Sequence, residues 1–140
     1  MKKSVIFELP MDVQKHISYW VTTAEHDLPA AEGLFKNGHY DWCLFIGHLV
    51  LEKILKAHYV KDNHKVPPKI HDLVRLAEST NLKLTRKQEE FLFVVNTFNI
   101  EARYPEDKLK FYKICTKEFA DENLTKIKDL YLWLKSQIPQ

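Results

Sequence analysis

His48, Glu52, Lys56 and Tyr59 are spaced four, four and three residues apart, with Lys53 beside them. On a helix those spacings stack side chains along one face. Charges on an otherwise apolar helix must be paired, solvated in a cleft or turned toward a partner, because desolvating a lone charge costs several kcal/mol. A second group, Arg103-Tyr104-Pro105, supplies a planar guanidinium. That fork suits phosphate or carboxylate in a cleft, and equally well an acid partner or the carbonyls of a helix end. Between Lys53 and Arg75 six basic residues (Lys53, Lys56, Lys61, Lys65, Lys69, Arg75) outnumber Asp62 and Asp72, a local excess of six minus two, or +4. The plain meaning of this excess is a solvated helix end and loop. The sharper one is a phosphate site fed by Lys56 and by the N-terminus of a helix opening at Ile70, whose binding weakens with salt.

Other chemistries lack their motifs. Three glycines leave no P-loop or GxGxxG, and no GxSxG, HExxH or CxxC occurs. His58, His64 and His71 fall on a helix end, a Pro-rich connector and a helix start, without metal-ligand spacing. No metal, cofactor or catalytic residue is expected. Two cysteines make no disulfide framework, and Cys43 reads as a small core residue. With 21 basic against 19 acidic residues the net charge of +2 is too balanced for a generally nucleic-acid-binding surface. No apolar run of signal-peptide or membrane-spanning type appears, so a reduced, cytoplasmic setting is expected.

The elements that must position these groups are helical. At 140 residues the chain is expected to be one domain, and its few glycines and prolines favour long helices. Residues Tyr40 to Lys61 form the central helix: Trp42, Phe45, Ile46, Leu49 and Val50 follow helical spacing, and Leu44, Leu51, Ile54 and Leu55 cover further faces. Before it, a short apolar lead-in ends at Pro10, and Asp12 caps a first helix with a stripe from Val13 to Phe35. Pro29 predicts a kink near Ala24 to Asp27. Gly38 stops this helix, and the short connection makes the first two helices antiparallel. A short helix is expected over Ile70 to Ser79. Thr85 and Gln88 form a capping box for the next, with Phe91, Val94, Val95 and Phe98 inward. Tyr104 ends that helix ahead of Pro105, Pro105 to Cys115 is expected to be irregular, and a last helix opens near Thr116. The fold class is all-α, an antiparallel up-and-down bundle of about five helices.

From Trp20 to about Leu134 the chain resembles the HEPN family of small helical domains. The marks are Trp20, Ala24 and Asp27-Leu28, then Ala31 and Leu34, Tyr40, Phe45, and the run Glu52-Lys53-Ile54-Leu55-Lys56-Ala57. His71-Asp72-Leu73, Leu76 and Ala102-Arg103-Tyr104-Pro105 complete the series. The resemblance implies an antiparallel bundle, usually a homodimer, and a role in nucleotide or RNA binding. Many relatives are metal-independent ribonucleases with His four to six residues after Arg; others act beside a minimal nucleotidyltransferase in toxin–antitoxin pairs. Here no His follows Arg103, Arg75 or Arg86 at that distance, and RNA cleavage at neutral pH needs a general acid or base that His supplies best.

The expectation is therefore a non-catalytic homodimeric module that binds a nucleotide, RNA or protein partner, with a nucleotidyltransferase as a further partner. Lys53, Lys56, His71, Asp72, Arg103 and Tyr104 would contact the ligand, with Glu52 and His48 orienting them. The alternative is a divergent ribonuclease toxin that uses Arg103 with His71 or His48. A third possibility keeps the charged stripe purely structural, as paired groups at the dimer contact.

Overall fold

The computed structural model describes residues 11–139, so the lead-in before Met11 lies outside the described residues. Those residues form six helices: α1 (Val13–Lys36), α2 (Tyr40–Asn63), α3 (Leu73–Glu78), α4 (Arg86–Arg103), α5 (Pro105–Ile114) and α6 (Lys117–Ser136). The architecture is an all-α bundle.

Local chemistry sets most of the boundaries. Asp12 caps α1 by accepting from the Lys15 amide at 3.0 Å, and α1 continues as one helix through Pro29. Gly38 then takes φ of 80°, in the left-handed region where glycine has no Cβ penalty. The three-residue connection folds α2 back along α1. Thr85 and Gln88 complete the capping box of α4 in both directions, at 3.1 and 2.9 Å. Thr85→Ala removes one half of that exchange and is expected to lower stability by about 1 kcal/mol. Urea unfolding at neutral pH measures the loss; an unchanged midpoint would mean that water replaces the cap at no cost.

The middle of the bundle is α2, which packs against α1, α3, α4, α5 and α6. Leu44, Leu51, Ile54 and Leu55 are fully buried, together with Leu73 and Leu76 of α3 and Ile127 and Leu134 of α6. Gly47 lets α6 come close: a Cβ there would stand 2.8 Å from Cδ1 of Ile127. From α4, Leu92, Val95 and Phe98 point inward, while Val94, expected among them, is exposed.

Two elements differ from expectation. First, α3 starts at Leu73, not Ile70, because Asp72 caps it by accepting from the amides of Val74 and Arg75. Residues 70–71 are left non-helical, which frees the His71 carbonyl for a partner outside the segment. Second, residues 105–114 are ordered as α5. Pro105 occupies the first helical position, where its missing N–H is no loss, and Glu106 and Asp107 follow in the favourable first turn. Phe111 anchors this helix by packing on Phe98, ring centroids 5.6 Å apart. Burying such a side chain is worth about 2–3 kcal/mol.

Candidate functional site

Two elements meet around the polar line of α2: the 64–72 connector, which ends in the Asp72 cap of α3, and the C-terminal half of α4. His48 is fully buried on α2. Its Nε2 lies 3.0 Å from the His71 carbonyl, which can only accept, so Nε2 carries the proton and donates. Nδ1 is then a lone pair, and it accepts from Nδ2 of Asn99 at 3.3 Å. The Asn99 Oδ1 in turn accepts from Nε of Arg103 at 2.9 Å. Burial pushes the His48 pKa down to about 4, against the pull of Glu52 and the His71 carbonyl and with help from the charges of His71 and Arg103. Desolvation wins, and His48 is neutral at pH 7.

On the other side of the connector, Nδ1 of His71 donates to Oε1 of Glu52 at 2.9 Å, and the other Glu52 oxygen accepts from Lys56 at 3.0 Å. Both Glu52 and Lys56 are buried, and the Lys56 ammonium also sits 5.3 Å from the Trp20 ring centroid. A buried charge pair with further partners on each member avoids the penalty of an unsatisfied ion. One hydrogen-bonded chain thus runs from Lys56 through Glu52, His71, His48 and Asn99 to Arg103. It fixes the His71 ring, whose side chain is 55% exposed, and leaves Nε2 unbonded among the described residues.

His71, Asp72, Asn96, Asn99, Ile100, Arg103 and Tyr104 line a cleft of about 330 Å³. Arg103 meets no carboxylate there among the described residues. Its guanidinium lies 5.3 Å from the Phe45 ring centroid, so its charge is oriented without being neutralised. Oδ1 of Asp72 is occupied by the cap and by Asn96 Nδ2 at 2.9 Å, while Asn96 Oδ1 accepts from the Leu73 amide at 2.8 Å. The cleft therefore offers a guanidinium, an imidazole, the second N–H of two amides, the Asp72 carboxylate and an exposed tyrosine, groups that can pair with an anion carrying other polar groups.

The structure brings His71, Asp72, Arg103 and Tyr104 together and places Glu52 and His48 behind them. Lys53 and Lys56 do not line the cleft: Lys53 pairs with Asp27 of α1 at 2.5 Å, and Lys56 is consumed by Glu52. Both lysines are thus paired within the chain. Sequence reasoning missed Asn96 and Asn99. Asn96, Asn99 and Arg103 stand three and four residues apart on α4, so one polar face was available as a signal. A larger groove of about 570 Å³ between α4 and α6 mixes Phe91, Val94 and Leu130 with charges of both signs. None of the expected ligand contacts reaches it. Cys43 and Cys115 are buried, and burial first of all pushes both thiols up to about 12, far from nucleophilic readiness. Among the described residues no three His, Cys, Asp or Glu side chains are grouped to hold a metal ion, and no helix is long and apolar enough to cross a membrane.

The described residues thus form an all-α bundle around one central helix. The HEPN domain pattern matches residues 17–137, and the chain belongs to the HEPN domain family. The crystal structure of TT1696 from Thermus thermophilus is similar, with a TM-score of 0.75 and 19% identity over 87% of this chain and 98% of that one. The crystal structure of ST0689, an archaeal HEPN homologue, gives a TM-score of 0.68 and 20% identity over 88% of this chain and 98% of its own. At these identities the likeness concerns the fold. No curated protein matches the chain.

Proposed function

We propose that this HEPN protein is a non-catalytic binding module whose cleft between the 64–72 connector and α4 takes the phosphate of a nucleotide or an RNA end. The observation that carries this reading is Arg103, held by Asn99 and Phe45, in no ion pair among the described residues, and lining the same cleft as His71. An arginine so placed has hydrogen-bond donors to spare for a phosphate. Asp72 and Tyr104 serve the sugar or base, and Glu52 and His48 hold His71 and Asn99 in position. The exposed Phe93 and Ile100 on α4 fit an assembly of two copies, and a nucleotidyltransferase is the further partner this reading expects.

Calorimetric titration with ATP, GTP and short RNA at low salt tests the proposal. Saturable heat with at least one of them, weakening as salt rises, is the expected result. Silence with all three at low salt overturns it.

A second reading has an observation of its own. The Glu52–His71 pair resembles the carboxylate–imidazole arrangement that readies a general base, and His71 lines the cleft that Arg103 shares. His48 has no such option, since both its ring nitrogens are bonded inside the protein. Ribonuclease action by His71 and Arg103 would show as cleavage of RNA by concentrated protein, abolished by His71→Ala. Intact RNA after prolonged incubation removes this reading.

A further inference from the structure

The cleft cation and a cation of α5 share one aromatic floor. Arg103 lies over Phe45, Phe45 meets Trp42 edge to face with centroids 5.8 Å apart, and Lys108 Nζ stands 4.6 Å from the Trp42 centroid. Beyond Lys108, helical geometry groups Tyr112, Leu109 and Lys113 with it on one continuous face of α5. All of these are exposed, Tyr112 at 62% and Tyr104, at the helix cap, at 54%. Neither Lys108 nor Lys113 meets a carboxylate among the described residues. Glu106 and Asp107 occupy the first turn of α5, where the helix dipole accounts for them.

We infer that the cleft opens into a track for single-stranded nucleic acid, running from Arg103 along α5 past Lys108 to Tyr112 and Lys113. This rests on the cleft reading above and extends it from one phosphate to a chain of them. The two tyrosines are eight residues apart, about 12 Å along a helix axis, so each can stack a different base. Lysines between stacking rings contact the backbone in a sequence-tolerant way. A docking face for a protein would have the aromatic content, but lysines are depleted from the cores of such interfaces. The unpaired cations therefore favour a polyanion. Tyr112 is exposed while its neighbour Phe111 is buried, so removing the tyrosine ring spares the core.

Fluorescence anisotropy with labelled uridine tetra- and octanucleotides, competed with uridine monophosphate, tests the track. Affinity is expected to rise with length. Tyr112→Ala is expected to weaken octanucleotide binding about tenfold while leaving the monophosphate unaffected. Lys108→Ala combined with Lys113→Ala is expected to flatten the salt dependence by about 1.4 in log–log slope, two phosphates' worth. Equal affinity at all lengths with Tyr112→Ala neutral overturns the track and leaves the cleft reading standing. Loss of a dimer in sedimentation for Tyr112→Ala, with octanucleotide affinity unchanged, assigns the face to a protein contact and overturns the track as well. Failure of every probe, the monophosphate included, defeats both readings together.

Discussion

Arg103→Ala is expected to cost about 2–3 kcal/mol of ligand affinity, roughly 30- to 150-fold, with little change in stability. The asymmetry follows from the geometry. Arg103 is exposed, and its internal contacts, one hydrogen bond to Asn99 and the Phe45 ring, lie at the edge of the cleft, where water can replace the lost donor. Its outer nitrogens are the groups free to pair with a phosphate. Arg103→Lys is expected to recover only part of the loss, because a lysine cannot bond Asn99 and still present a planar fork to the ligand. Titration of wild type and both variants under one salt condition, with denaturant melts alongside, separates the two effects. Equal losses of stability and affinity would make Arg103 a structural residue.

Acidification from pH 6.5 to pH 4 is expected to remove about 3 kcal/mol of folding stability through His48 alone. The unfolded chain takes up this proton near 6.5, while burial holds the folded residue down at about 4. Stability is therefore fully present above pH 6.5 and declines as the pH falls toward 4. His58 acts in the same direction. Burial lowers its pKa; Nε2 donates to the Leu134 carbonyl at 2.7 Å, and Nδ1 is buried without a partner. Asp62, which burial raises but the Asn81 amide and Lys61 lower to a net depression, loses its contribution only at more acid pH. Glu101, raised by burial, opposes the trend slightly. Urea unfolding at intervals between pH 7 and 4.5 measures the slope. In His48→Asn the slope is expected to shrink to the part His58 supplies; an unaltered slope would locate the sensitivity elsewhere.

Much of the bundle was legible because its signals are local. Asp12, Thr85 with Gln88, and Thr116 each lie beside the amide they cap, and Gly38 sits where the chain must turn. The central helix was legible from apolar residues on nearly all sides. Treating Pro105 only as a stop hides α5, since the same residue is a good first residue for the next helix, and Phe111 supplies its anchor. The site was legible only in part. Spacing places His48, Glu52 and Lys56 on one face and so allows the Glu52–Lys56 pair, yet it cannot say that Glu52 also meets His71 while Lys53 meets Asp27, 26 residues earlier. Asn96 and Asn99 gain meaning only from what lies across from them, Asp72 in one case and His48 in the other. Such pairings depend on tertiary packing and leave no mark in a single segment.

Every functional reading above requires one anion-receiving cleft, fixed from behind by the network from Lys56 to Arg103. Side-chain NMR during a nucleotide titration reads this out at the atoms concerned: the Arg103 Nε–H, the Asn99 amide and the His71 ring. These three signals are expected to move together and saturate at one concentration while the Lys53 ammonium stays still. Shifts centred on Lys87 and Lys126 in the α4–α6 groove, with Arg103 and His71 unmoved, would contradict the assignment.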